Sequence, residues 1–197
     1  MNYTVLNDVS DALQTLLLAE FAAEQPILPD TIGVGGISFA NPPTADLNPS
    51  IRLSLWLYQV VENEFLRNDP PEPINGSDRR RQRPLPLNLF FLVTPLVDDP
   101  TAQLQLLGKT MQIFHDNAIV ILRDPVPPNR EDELRIILSR MTLEELTRIW
   151  ESLREPYRLS VCYQVRVTRI DSRRELNGAL VIERNAGFGQ APLLAAR

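Results

Sequence analysis

The stretch PLPLNLFFLVTP, from Pro84 to Pro95, indicates the kind of fold that this chain adopts. In an extended strand, alternate residues face opposite sides. One face would then carry Leu85, Leu87, Leu89, Phe91 and Val93, and the other Pro86, Asn88, Phe90, Leu92 and Thr94. The first face is wholly apolar and the second is half apolar, which predicts a heavily packed strand. Pro86 has no N–H to donate, so we expect the strand to start at a sheet edge, a bulge or the sheet rim.

Two other alternating runs predict strands. Ile51–Val61 reads IRLSLWLYQVV, and Leu159–Ile170 reads LSVCYQVRVTRI. Both are rich in the β-branched and aromatic residues that favour strands. Shorter strands are expected at Ile32–Phe39, which contains three glycines, and at Leu134–Leu138.

Three helices are predicted between these strands. Apolar residues at helical spacing indicate a helix from Thr4 to about Ala23. Asp99 followed by Pro100 begins a second helix ending near Asn117, with Leu104, Leu107, Met111 and Phe114 as its buried stripe. Thr142 and Glu145 form the capping box of a short third helix. We expect an α+β fold, with a mainly antiparallel β-sheet and helices on its apolar face.

Length and composition predict a single α+β domain at 1–172 and a C-terminal arm at 173–197. Residues 62–83, which hold prolines, charges and Asn75-Gly76-Ser77, are expected to be a long exposed loop.

No apolar run approaches the roughly 18 residues of a membrane span. The N-terminus has no signal-peptide pattern, so a cytoplasmic location is expected. A net charge of −5 argues against nucleic-acid binding by the surface as a whole.

Few residues suggest catalysis. His115 is the only histidine and Cys162 the only cysteine. We interpret His115 as a polar residue at a helix end and Cys162 as a buried, inert thiol. A small cysteine enzyme using these two residues is the alternative. Neither metal-ligand spacing nor a phosphate-binding loop is evident, so no metal and no cofactor is expected.

Arg79, Arg80, Arg81 and Arg83 form the densest charge cluster. The simplest interpretation is a solvated loop. A second is docking on an acidic protein surface, since arginine makes bidentate pairs with carboxylates. A third is an adaptor that binds nucleic acid, which would show salt-dependent affinity.

Five segments in order resemble one known family. They are the helix beginning Val5-Leu6-Asn7-Asp8-Val9, LSLWLYQVVENEFLRN (53–68), PLPLNLFFLVTP, QLQLLGKTMQIFHDNAIV (103–120) and LTRIWESLREPYRLSVCYQVRVTRIDS (146–172). The chain resembles the cap, or tube-terminator, proteins of phage-tail-like contractile injection systems. The resemblance covers Thr4 to about Ser172.

This resemblance implies a structural protein without catalytic activity. Such caps form a six-membered ring on the end of the inner tube distal to the baseplate, stop its growth and engage the last sheath layer. The expected partners are further copies of the chain, the tube protein and the sheath protein. The expected contact residues are Arg79, Arg80, Arg81 and Arg83, or the tail residues Leu176, Leu180 and Ile182.

Overall fold

The computed structural model describes residues 3–23, 36–66, 72–73, 79–123 and 131–177. The chain divides into two compact units. The larger unit consists of Met1–Asp69 and Pro84–Asp171, and the smaller one of Pro70–Arg83 and Ser172–Arg197. The division into a domain at 1–172 and a C-terminal arm at 173–197 remains a prediction.

The larger unit is built on a six-stranded sheet. Its helices are α1 (Val5–Ala23), α2 (Pro42–Asp46), α3 (Pro100–Asp116) and α4 (Leu143–Ser152). Its strands are β1 (Gly36–Ser38), β2 (Ile51–Glu62), β5 (Leu85–Pro95), β6 (Ile119–Arg123), β7 (Glu131–Ser139) and β8 (Val161–Ile170). The strand order is β1-β2-β5-β8-β7-β6, and every pair except β1–β2 is antiparallel. The predicted α+β class with a mainly antiparallel sheet is confirmed.

Strand β5 is an interior strand between β2 and β8. Pro86 lies near its start, where the N–H of Asn63 donates to the Pro86 carbonyl at 2.9 Å. The pairing with β8 shifts register beside it, between Leu87 and Asn88. Pro86 therefore lies at the sheet rim, next to a bulge, and these are two of the three expected settings. Its missing N–H removes only one hydrogen bond from the sheet.

The main core lies between one sheet face and helices α1 and α3. Helix α1 buries Val5, Val9, Leu13, Leu17 and Phe21, which recur at every fourth residue. From the sheet come the side chains predicted for this face of β5, of which Leu87, Leu89, Phe91 and Val93 are buried and Leu85 is exposed.

The predicted buried stripe of α3 needs one correction. Leu104 is 62% exposed, whereas Ala102, Leu106 and Thr110 are buried together with Leu107 and Phe114. The buried face of α3 is therefore rotated about the helix axis relative to the face predicted from the sequence. Thr110 is tolerated inside because its hydroxyl donates to the Leu106 carbonyl at 2.8 Å.

The opposite sheet face has a second, smaller core beneath α4. Leu92 of β5, Cys162 of β8 and Trp150 of α4 are buried there. The capping box predicted for this helix is present, with the Thr142 hydroxyl accepting from the Glu145 N–H at 3.2 Å. The two-sided apolarity of β5 is thus explained by helices on both faces of the sheet.

A bulge in β2 changes which residues face this second core. Leu57 is paired with Phe91 and Gln59 with Phe90, so Tyr58 is the extra residue. Val60 is then opposite Leu89, on the main-core face, and not on the face of Trp56 as simple alternation predicts.

The smaller unit contains a three-stranded sheet. Its strands are β3 (Glu72–Pro73), β4 (Arg79–Arg81) and β9 (Glu175–Asn177), with β4 in the middle. The expectation of a long exposed loop over residues 62–83 is wrong where β3, β4 and the 3-10 turn Glu64–Leu66 form. Each of these elements is only two or three residues long, too short for a periodic pattern.

Helix α2 and strand β6 were also not anticipated from the sequence. The first begins with the N-cap Asn41, and the second follows α3 directly. None of the helices in the described ranges is both long and apolar enough to cross a membrane.

Candidate interaction surface

Strand pairing in the smaller unit brings together two of the segments expected to contact partners. Strand β4 carries Arg79, Arg80 and Arg81, and it pairs antiparallel with β9. In this register Arg80 is opposite Leu176 and Arg81 is opposite Glu175. The pairing continues beyond the strands, since the Gln82 N–H donates to the Arg174 carbonyl at 3.0 Å.

The exposed arginines of this sheet are more numerous than the sequence cluster suggested. Arg80, Arg81 and Arg83 are exposed, and so are Arg173 and Arg174, which precede β9. The adjacent pair at 173–174 is visible in the sequence, but only the pairing of β4 with β9 joins it to the first cluster. Leu180 and Ile182, the other expected contact residues, lie outside the described residues.

Charge is divided unequally between the two units. The smaller unit has eight arginines against four acidic residues, a net charge of +4. The larger unit has 12 basic and 21 acidic residues, a net charge of −9. An arginine-rich surface on an acidic protein is suited to binding carboxylates, because the guanidinium matches their geometry.

The structure separates the two residues of the alternative cysteine–histidine site. Cys162 is 2% exposed and belongs to the core beneath α4. His115 is exposed near the C-terminal end of α3, next to Phe114 in the core on the other sheet face. Because the sheet lies between them, the pairing of a thiol with a base that such an enzyme needs is not formed.

The environment of Cys162 is that of an unreactive thiol. Its Sγ donates to the Tyr58 hydroxyl at 3.0 Å, and that hydroxyl donates to Met141 Sδ at 3.5 Å. Burial raises the pKa of Cys162 to about 11, although the hydrogen bond with Tyr58 opposes the change. At neutral pH the thiolate, which is the nucleophile, is therefore disfavoured.

Neither the glycine-containing segment nor the acidic residues form a ligand site in the described parts of the chain. Gly36 lies in strand β1, where an added Cβ would come within 2.8 Å of Ile51 Cδ1, the end of a flexible side chain. Gly33 and Gly35 are outside the described residues. Among the described side chains no three His, Cys, Asp or Glu residues are grouped as metal ligands.

Comparison with known proteins gives the family. Residues 8–184 match the family model described as the Pvc16 N-terminal domain. No match was found among curated protein sequences.

Two solved structures have similar folds. The PVC sheath/tube terminator of an extracellular contractile injection system, in its extended state, is 18% identical with a TM-score of 0.61. The match covers 99% of this chain and 66% of that one. The tube-terminating cap of the anti-feeding prophage is 18% identical with a TM-score of 0.57, over 96% of this chain and 59% of that one.

This chain therefore spans about two thirds or less of the length of these proteins. At this identity the two structures establish the fold, and the family model covers nearly the whole chain. The chain belongs to the Pvc16 N-terminal domain family.

Proposed function

We propose that this protein is the structural cap of a contractile injection system. It forms a homohexameric ring on the end of the inner tube distal to the baseplate, stops tube growth and engages the last sheath layer. The observation that carries the proposal is the family match over residues 8–184, within a fold similar to a sheath/tube terminator over 99% of the chain.

The edge of the larger sheet supports a role in assembly. Strand β6 is one of the two edge strands of the described sheet, and its side chains Ile119 and Ile121 are 56% and 49% exposed. Open strand edges with apolar side chains are a hazard for a free protein, and contact with a neighbour removes it. A ring gives every copy such a neighbour.

The smaller unit is the proposed contact surface toward the rest of the particle. Arg79, Arg80, Arg81 and Arg83, or the tail with Leu176, Leu180 and Ile182, contact tube or sheath protein. Exposed arginines support the first version. The apolar run Ala179–Ile182 supports the second, since an extended segment can add to a sheet of its partner.

The proposed role needs no chemistry from the protein, and we infer that it is not an enzyme. The burial of Cys162 away from His115 supports this inference. We further propose that the protein is made in the cytoplasm and assembles there on a phage-tail-like particle.

The proposal is tested by deleting the gene from a producing strain and imaging the particles by electron microscopy. We expect tubes of irregular length and sheaths that detach at the end distal to the baseplate, restored by the wild-type gene. Particles of normal length and integrity without the protein would disprove the cap function. Image classes of the purified protein, alone and with tube protein, report the number of copies in the ring.

A further inference from the structure

We infer that the arginine-rich sheet of the smaller unit docks on the acidic larger unit of a second copy of this chain. The inference rests on the proposed ring and names the partner of one of its contact surfaces. Its consequence is that the arginines join neighbouring caps, which leaves the tail after Asn177 for tube or sheath protein.

The first argument is charge complementarity between the two units. A net charge of +4 on the smaller unit and −9 on the larger one gives each copy both partners of an attractive contact. Complementary charges speed association and fix its orientation, and like charges placed together oppose it.

The second argument concerns which carboxylates are available to the arginines. Arg81 is flanked in register by Glu72 and Glu175, so acidic residues lie on both neighbouring strands. Arg80 is flanked by Pro73 and Leu176, neither of which is charged. The carboxylate partners of Arg80, and of the exposed pair Arg173 and Arg174, can come from another molecule.

The third argument is the location of acidic residues on the larger unit. Helix α1 has three acidic residues and no basic one in 19 positions. Asp98, Asp99 and Asp116 are exposed at the two ends of α3, which packs on the same sheet face as α1. Helix α4, on the opposite face, has three acidic residues and one basic residue, Arg148, which pairs with Glu144 at 2.6 Å. Helix α1 has no basic residue of its own beside its carboxylates, so the helical face of α1 and α3 is the expected acceptor.

The geometry of such a contact agrees with a ring. Donor and acceptor are different surfaces of the same chain, so the contact is heterologous. Heterologous contacts repeat from copy to copy and close into a ring when the rotation allows. A self-complementary contact would stop at a dimer.

A charge-swap experiment on the full chain tests the inference. One variant carries Arg80→Glu, Arg173→Glu and Arg174→Glu, and the other carries Asp11→Lys, Asp98→Lys and Asp116→Lys. Sedimentation of each, at several protein and salt concentrations, should show at least about tenfold weaker self-association than the wild type, since each 1.4 kcal/mol is worth tenfold. An equal mixture of the two variants should associate again as alternating copies, because each contact between unlike variants joins opposite charges.

The matched control reverses three arginines of the larger unit: Arg123→Glu, Arg140→Glu and Arg148→Glu. It changes the net charge of the chain as the first variant does, and the surface ion pairs that it breaks are worth little. Circular dichroism verifies the fold of all variants. This control should self-associate as strongly as the wild type, and its self-association should weaken as salt is added.

Several outcomes would overturn the inference. Unchanged association of the arginine variant would do so, and so would a mixture that associates no better than its components. Normal rings that have lost binding to sheath protein would assign the arginines to the sheath instead. In each case the cap function stands if gene deletion alters particle length. A wild-type chain that forms no oligomer, alone or with tube protein, would disprove the ring itself.

Discussion

Tyr58 links a local irregularity to the second core. It is the extra residue in the β2 bulge, and its ring lies 6.1 Å from that of Trp56 and 6.3 Å from that of Phe90. Its hydroxyl accepts from Cys162. An aromatic residue at the bulge thus contacts the cysteine, and burial raises the pKa values of both groups.

The thiol of Cys162 should react slowly in the folded protein. Raising its pKa from 9.0 to about 11 lowers the thiolate fraction about 100-fold at neutral pH, and burial also blocks access. We expect labelling by a chromogenic disulfide reagent at least about 100-fold slower in buffer than in concentrated guanidinium chloride. Labelling of the native protein at the rate of the unfolded chain would contradict the buried setting.

Stability should decrease at alkaline pH. The pKa values of Tyr58, Cys162 and Tyr163 are raised mainly by burial, that of Tyr163 to about 12. The folded state therefore holds these protons more tightly than the unfolded state. Their contribution is complete below the unfolded pKa of the thiol, 9.0, and is lost as pH rises toward the folded values.

The measurement is urea unfolding at pH values between neutral and strongly alkaline. Tyr58→Phe should cost about 0.5–1.5 kcal/mol at neutral pH because it removes the hydroxyl contacts. The same variant should lose less stability than the wild type when the pH is raised. An equal or greater alkaline loss in this variant would contradict the role given to Tyr58.

Helix α4 and strands β5 and β8 supply the buried residues of the second core. The helix is short and covers the sheet with few side chains, so its formation depends on its capping box and on Trp150. Trp150 is 1% exposed, and its Nε1 donates to Ser160 Oγ at 3.2 Å. The capping box could be predicted from the sequence because its signal lies within four consecutive residues.

Removing the cap of α4 should destabilise the protein. Thr142→Ala removes the hydroxyl that accepts from Glu145 N–H, and N-cap losses of this kind cost about 1 kcal/mol. Thr147→Ala is the control, because Thr147 lies in the interior of the same helix, where alanine is the better helix former. The test compares the free energies of urea unfolding of the two variants with that of the wild type. Equal effects of the two changes would exclude a capping role for Thr142.

The face of β5 toward α4 should behave as core. Leu92 is fully buried, so Leu92→Ala should cost 2–5 kcal/mol, the range usual for such cavities. Leu104→Ala on α3 makes the same chemical change at a side chain 62% exposed and should stay within about 0.5 kcal/mol. A small effect at Leu92 would mean that this face is not packed as described.

The chain passes between the two compact units more than once. The chain enters the smaller unit at Pro70, returns to the larger one at Pro84 and leaves it again after Asp171. Its three strands come from two segments about 100 residues apart in sequence, joined by the pairing of β4 with β9.

Ending the chain after Asp171 should affect the two units differently. The arginine strand β4 loses β9 as its partner, whereas the pairings of β2, β5 and β8 are all internal to the larger unit. Hydrogen exchange should show lost protection at Arg79–Arg81 and unchanged protection in β5. Loss of protection in β5 as well would show that the larger unit depends on the smaller one.

Local chemistry in the sequence was enough to identify most elements. Alternation located β2, β5 and β8, Asp99-Pro100 located the start of α3, and the capping box located α4. Each signal is a preference of neighbouring residues for one backbone conformation, so it can be read without knowing the fold. The family resemblance likewise depends on segments in order along the chain.

Only the tertiary structure decided which segments meet. The alternating run PLPLNLFFLVTP predicted a packed strand, but its place between β2 and β8 and the helix over Leu92 depend on contacts far apart in sequence. The separation of Cys162 from His115 and the joining of Arg80 to Leu176 are decided in the same way. Local preferences fix where a strand forms, whereas its neighbours are selected by burial and hydrogen bonding across the whole sheet, to which residues far along the chain contribute equally.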